Sequence, residues 1–519
     1  MTDNYLNILA ETIRNNWDAP ALTDFYLTED GSTQDTSRGN HYTYGEMYAE
    51  LCHVAELLTS LGLQKGDHIA ICGANSAHWV IAYLAIAKMQ GASVTVMHTL
   101  QPDEIAHLVN FSDAKTLFTD EDLWSELKSQ SVPLVGSVIS LEDWVVLGGK
   151  KGEFNKSSLS LREELEVGFP QSAPDSLAMI CFTSGTSGKA KGVMLSYRNL
   201  TVNINFLFDE LLSYTNKKTL SFLPLGHIYG LYNEILRPLC IGTHINVIHT
   251  THNIIKYYQI IKPIYAVVVP SILENIVNWH TDNNLSLREF IINQLGGNID
   301  EISIGGAGLN NNTERKLIED NVPIAIGYGM TECGPLISVA TKRNSSLKAQ
   351  SVGFILKTLN IKFSPAGEIL VKGENVMLGY YKDPEATAAK IDSDGWLHTG
   401  DKGHLDEDGY LYVEGRLEQD IIVLPNGENI RPDHIESLIN ALPEVSESIV
   451  LARDGKLVAI AVPSSLPFRE ESEVGSLRRK IMREINPQLP LFSQLYDVEI
   501  TDQPLARTEK QTIKRYLYS

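Results

Sequence analysis

The run Leu177-Ala178-Met179-Ile180-Cys181-Phe182 is apolar throughout, and it passes directly into Thr183-Ser184-Gly185-Thr186-Ser187-Gly188-Lys189-Ala190-Lys191-Gly192. A short apolar run bounded by such a loop reads as a buried strand of a sheet. The loop has three glycines, four hydroxyls and two lysines in ten residues, which suits a phosphate. Glycines let backbone amides approach an anion, hydroxyls add donors, and lysine adds charge. The same composition also fits an exposed turn. No glycine is followed after four residues by Gly-Lys-Ser/Thr, so the loop is not a Walker A sequence, which argues against an ordinary P-loop kinase or ATPase.

Other short β-rich runs, His68–Cys72, Ala266–Val269 and Pro323–Ile326, alternate with helical patterns at Tyr44–Leu61 and Glu314–Asp320. This alternation predicts an α/β chain with mixed, largely parallel sheets packed by helices. From Glu368 the texture changes to short strands and tight turns. Asp408-Gly409 lies between Gly403–Leu405 and Tyr410–Val413, and Asp454-Gly455 between Ser448–Leu451 and Leu457–Val462, so both read as hairpins. A helical stretch from Glu470 to Asn486 completes a small α+β unit. Polar stretches at Glu29–His41 and Gly148–Ser160 read as surface loops.

The 519 residues are enough for more than one domain. The most apolar stretch, Trp79–Ala87, is broken by Lys88 and Gly91 too early to span a bilayer, and the start of the chain lacks the features of a signal peptide. A cytoplasmic enzyme is expected, with peripheral membrane contact left open for a fatty-acid enzyme although no basic amphipathic helix demands it. A net charge of -21 argues against nucleic acid as a general partner. Cys52, Cys72, Cys181, Cys240 and Cys333 have no paired spacing for zinc or disulfides and read as reduced core residues.

The loop resembles the phosphate-binding signature of the adenylate-forming superfamily, and the further signatures follow in that family's order. Ser221-Phe222-Leu223-Pro224-Leu225-Gly226-His227 is similar to the motif lining the carboxylate pocket, Gly305-Gly306-Ala307-Gly308 to the adenine-side loop, and Gly327-Tyr328-Gly329-Met330-Thr331-Glu332 to the family's next most recognisable motif. Gly395–Asp401, Gly415-Arg416 and Asn426–Ile430 complete the set. Gly373–Tyr381, Asp383–Thr387 and Asn426–Ile430 resemble long-chain fatty acid–CoA ligases in particular.

The resemblance implies ATP, Mg2+ and CoA as reactants or cofactors. Its ATP/AMP-binding set is Thr183, Ser184, Gly185, Thr186, Ser187, Gly188, Lys191, Gly306, Ala307, Gly327, Tyr328, Gly329, Thr331, Asp401 and Arg416. Within it Tyr328 stacks on adenine, Thr331 contacts phosphate, Asp401 accepts from the ribose hydroxyls, and Arg416 offers a planar fork to ribose or phosphate. Glu332 holds Mg2+, a hard cation that prefers oxygen ligands. The implied catalytic set is Thr183, Lys191, Thr331, Glu332 and Lys510, and the implied acyl pocket is His227, Gly305 and Gly329. A carboxylate attacking the α-phosphate of ATP brings two anions together, so cations and amide donors are required.

The implied architecture is a large domain over residues 1–415 and a small mobile domain over 416–519, with Gln419 as hinge and Gly427 on the CoA path. Glu418 and Gln419 stand where the family usually has a lysine and an acid. The C-terminal lysine follows Thr508-Glu509 instead of threonine-glycine, which makes Lys510 the first candidate and Lys514 the second. Phe222–Tyr229 has no acidic residue to pair with an ammonium, so an apolar acid is expected over an amino acid. No carrier segment follows the C-terminal unit, so CoA or a separate acyl carrier protein is the expected acceptor. Three functions stay open: a medium- or long-chain acyl-CoA synthetase, an acyl-AMP ligase that loads a carrier protein or activates an aryl acid, and a nucleotide- and lipid-binding protein with weak turnover.

Overall fold

A computed structural model describes the chain apart from residues 1–3, 29, 30, 32, 36, 37, 130–135, 150–166, 184–189, 207–211, 251, 281–283, 307, 310, 342–346, 417–421, 426, 427, 465–470, 504, 506–517 and 519. The Thr183–Gly192 loop grows out of an eight-stranded sheet. Its spatial order is Gly379–Tyr380, Lys191–Ser196, Leu177–Thr183, Ala92–Thr95, His68–Cys72, Thr116–Thr119, Ser137–Ser140 and Val146–Gly148. The five strands from Leu177–Thr183 to Ser137–Ser140 are parallel, while the flanking pairs are antiparallel.

Helices cover this sheet. Helix Tyr44–Ser60 starts at a capping box in which Thr43 accepts from the Glu46 amide and Glu46 from the Thr43 amide. Helix Ala77–Lys88, capped by Ser76, carries the apolar Trp79–Ala87 stretch. It is buried on nearly all sides, which explains its continuous hydrophobicity. Its 12 residues span only about 18 Å. Among the described residues no helix is long and apolar enough to cross a membrane.

A five-stranded sheet has the order Tyr265–Val268, Glu301–Ile304, Ile324–Gly329, Leu336–Ala340 and Phe354–Ile355. The strand expected over Pro323–Ile326 runs on through Gly327-Tyr328-Gly329, because those residues pair antiparallel with Leu336–Ala340. A four-stranded sheet joins Lys218–Ser221, His244–Val247, Pro20–Asp24 and His41–Thr43.

The change of texture at Glu368 marks an antiparallel sheet, Leu359–Phe363, Glu368–Gly373, Leu397–Leu405 and Leu411–Arg416, which contains the first expected hairpin. The second pairs Val445–Arg453 with Lys456–Pro463. Asp454 and Gly455 both have positive φ, 49° and 72°, as a two-residue hairpin loop requires. Strand Asp497–Ile500, helices Pro432–Asn440 and Glu471–Ile485, and a core of their own complete this C-terminal α+β unit. All five cysteines are free and buried, as expected of core residues.

Candidate active site

Thr183 and Lys191 are register partners on adjacent antiparallel strands. Ser184, Gly185, Thr186, Ser187 and Gly188 lie outside the described residues, but the two ends are placed. Strand Gly379–Tyr380 pairs with the Lys191 strand, with Tyr380 opposite Val193. Lys191 Nζ stands 5.0 Å from the centroid of the Tyr380 ring, a cation–π approach. The Tyr380 hydroxyl donates to Glu332 Oε1 at 2.7 Å. Burial, and then the Glu332 charge, push the Tyr380 hydroxyl well above the usual phenol range, so it stays a donor.

Glu332 lies in a single 3-10 turn, Thr331–Cys333, directly after the Ile324–Gly329 strand, and both Thr331 and Glu332 are buried. The Met377 amide donates to the Glu332 carbonyl at 2.9 Å. Glu332 Oε2 has no hydrogen bond to a described residue. A buried carboxylate with one oxygen held and the other open is a donor set that fits a hard cation.

On the strand leading into this turn, Tyr328 donates to Asp401 Oδ2 at 2.7 Å, and Asp401 is itself the register partner of Arg416. The Arg416 side chain lies outside the described residues. Gly329 is confined by packing, since a Cβ there would run into the Pro335 carbonyl. Strands Glu301–Ile304 and Ile324–Gly329 are parallel neighbours with Ile304 opposite Ile326, which brings Gly305 and Gly306 beside Gly327 at the carboxyl ends of both strands. Ligands of open α/β sheets collect at such ends.

His227 begins the turn Ile228–Gly230, and its Nδ1 accepts from the Tyr229 amide at 3.2 Å. The His227 side chain is exposed, and desolvation by the neighbouring protein lowers its pKa. The Tyr229 ring lies against Gly305, where a Cβ would stand 2.8 Å from ring carbon Cε2. The pocket motif and the Gly305 loop thus form one wall.

Two supports of this wall carry no sequence motif. Asn75 clamps the pocket loop by donating to the Leu223 carbonyl at 2.8 Å and accepting from the Leu225 amide at 3.1 Å. Glu234 lies in a π-helical stretch, Leu231–Leu236, and its Oε2 accepts from Ser221 Oγ, the Phe222 amide and the Leu223 amide at 3.1, 2.9 and 2.9 Å. Burial drives its pKa well above the carboxylate range. Tyr380 does sit in a quoted motif, yet only packing reveals its partners. Ala307, Gln419, Gly427 and Lys510 lie outside the described residues, as does Lys514.

The structure therefore brings Thr183, Lys191, Thr331, Glu332, Tyr328, Asp401 and the Arg416 backbone into one connected set, beside a wall of His227, Tyr229 and Gly305. The sequence model of the AMP-binding enzyme matches residues 9–381, and that of the AMP-binding enzyme C-terminal domain matches residues 419–518. The chain belongs to the AMP-binding enzyme family. This AMP-binding enzyme is 28% identical to 4-coumarate–CoA ligase 4 of Arabidopsis thaliana over 84% of this chain and 79% of that protein. It is 27% identical to a 4-coumarate–CoA ligase of Vanilla planifolia over 79% of this chain and 76% of that protein. Its fold matches o-succinylbenzoate CoA synthetase from Bacillus subtilis with a TM-score of 0.74 and 25% identity over 98% of this chain and 97% of that one. It also matches a fatty acyl CoA synthetase of Mycobacterium tuberculosis, with a TM-score of 0.63 and 21% identity over 99% and 97% of the two chains. The AMP-binding enzyme thus has the adenylate-forming fold and falls among acid–CoA ligases.

Proposed function

We propose that this protein is an ATP-dependent acid–CoA ligase that adenylates an apolar carboxylic acid, medium- and long-chain fatty acids included, and passes the acyl group to CoA. The observation that carries this reading is the pair of contact chains from Lys191 through Tyr380 to Glu332 and, on the strand leading into the Glu332 turn, from Tyr328 to Asp401.

In this reading Tyr328 and Asp401 bind adenine and ribose, and Gly306, Ala307, Gly327 and Gly329 allow close backbone approach. Thr183, the Ser184–Gly188 segment, Lys191 and Thr331 receive the phosphates. Glu332 would hold Mg2+, which supplies charge neutralisation at the phosphates. Lys191 counters the charge that builds as a carboxylate oxygen attacks the α-phosphorus and pyrophosphate leaves. His227 lines the acyl path. The 416–519 unit turns about Gln419, exchanging Lys510 at the α-phosphate for Gly427 beside the thiol chain.

An apolar acid is supported by the wall itself. Phe222–Tyr229 has no acidic residue, and Glu234 commits its Oε2 to three donors beneath the pocket loop. A second reading, a planar aryl acid, is favoured by the Tyr229 ring lying on Gly305 and by the 4-coumarate–CoA ligases among the relatives.

The test is incubation of purified protein with ATP, Mg2+ and a panel of fatty and aryl acids, with and without CoA, followed by mass spectrometry of AMP and acyl-CoA. Acid-dependent AMP and acyl-CoA are the expected products, and the preferred acid separates the two readings. AMP release that ignores CoA would move the acceptor to a carrier protein. ATP binding without AMP release would leave only a binding protein.

A further inference from the structure

We propose that Tyr380 is a positioning residue for the phosphate site, setting the Glu332 carboxylate through its hydroxyl and the Lys191 ammonium through its ring. This rests on the ATP reading above. Because Tyr380 is opposite Val193 in an antiparallel pair, its side chain shares a sheet face with Val193 and Lys191, two residues apart on their strand. A diagonal neighbour on one face is within reach of a long side chain, as the 5.0 Å approach of Lys191 Nζ to the ring shows.

The same side chain reaches Glu332, which comes from a different sheet and lies 48 residues earlier in the chain. Tyr380 is itself held. Its amide donates to Thr387 Oγ1 at 2.8 Å, and it is buried. The Met377 amide ties the Glu332 backbone to the same segment. With Oε1 fixed by a charge-assisted hydrogen bond, the carboxylate can turn only by breaking that bond, so Oε2 keeps one direction. Partners of this kind orient metal ligands, and their removal typically costs about 10- to 100-fold in metal affinity. One tyrosine thus couples the carboxylate on the metal side to the lysine on the phosphate side.

The test is a Mn2+ titration followed by electron paramagnetic resonance, with α,β-methylene-ATP present, on the parent protein, Tyr380→Phe and Thr387→Val. Tyr380→Phe keeps the ring over Lys191 and removes only the hydroxyl. It is expected to weaken Mn2+ binding about tenfold or more while leaving metal-free binding of the analogue at the parent value. Thr387→Val, which releases the Tyr380 amide without touching Glu332, is expected to weaken Mn2+ binding in the same direction, and it serves alone should Tyr380→Phe not fold. In a Glu332→Gln background Tyr380→Phe is expected to change Mn2+ affinity no further. Parent-like Mn2+ affinity in the folded Tyr380→Phe variant, or an undiminished loss in the Glu332→Gln background, overturns the positioning role. If the parent binds no Mn2+ with the analogue, the ATP reading itself falls, and the positioning role with it.

Discussion

The Tyr328 hydroxyl donates a 2.7 Å hydrogen bond to Asp401, joining the five-stranded sheet to the antiparallel sheet across 73 residues of chain. The adenine platform and the ribose acceptor of the proposed site are therefore one bonded unit. Tyr328→Phe keeps the ring and removes this one hydrogen bond to Asp401. A hydrogen bond to a charged group contributes about 1.5–3 kcal/mol, so the KM for ATP is expected to rise on the order of tenfold. Steady-state kinetics with ATP varied check this, and the KM for the acid should not change.

Glu332→Gln removes the charge that suits a hard cation. Adenylate formation is expected to fall on the order of 100-fold or more, while thioester formation from supplied acyl-AMP is spared. Measuring the two half-reactions separately decides it, and an equal loss in both would point to general damage.

Lys510→Ala is expected to slow adenylate formation much more than thioester formation from acyl-AMP. If Lys510→Ala leaves both half-reactions at the parent rate and Lys514→Ala slows the first, the role belongs to Lys514.

His244 is expected to make the fold less stable in acid. Desolvation, followed by the charges of Lys218 and His41, lowers its pKa to about 4, and its Nε2 lies 2.9 Å from Thr23 Oγ1. The unfolded chain binds this proton near pH 6.5, so between about 6.5 and 4 the unfolded state carries more protons than the folded one. Stability is expected to fall as pH drops through that window. Urea melts at pH 7.0 and 5.0 should show a smaller pH-dependent loss for His244→Gln than for the parent.

Glu234 is the acceptor for two buried amides and the Ser221 hydroxyl. Glu234→Ala leaves those donors unpaired, at about 1–3 kcal/mol for each buried group, and should also raise the KM for the acid because the loop before His227 loosens. Glu234→Gln keeps an acceptor oxygen and should cost less. Denaturant unfolding at fixed pH ranks the two variants.

The parts of the candidate site that could be read along the chain are those that are local. The Thr183–Lys191 segment, the Tyr328–Glu332 run and the Asp401 and Arg416 positions each fall within a few residues of sequence. Likewise the helix start at Thr43 and the Asp454-Gly455 turn follow from capping and backbone rules that act over two to four residues. Asn75, Glu234 and the partners of Tyr380 were not legible. Asn75 meets Leu223 across 148 residues, and Glu234 works from a π-helical stretch that hydrophobic periodicity does not reveal.

The amino-acid order thus determined the α/β alternation, the hairpins and the succession of site motifs, since periodicity and turn chemistry are properties of neighbouring residues. Only the tertiary structure decided that one tyrosine sits between Lys191 and Glu332 and that another holds Asp401. Those relationships depend on strand register and on which buried donor faces which carboxylate, and both are settled only when distant segments pack and each buried polar group must find a partner.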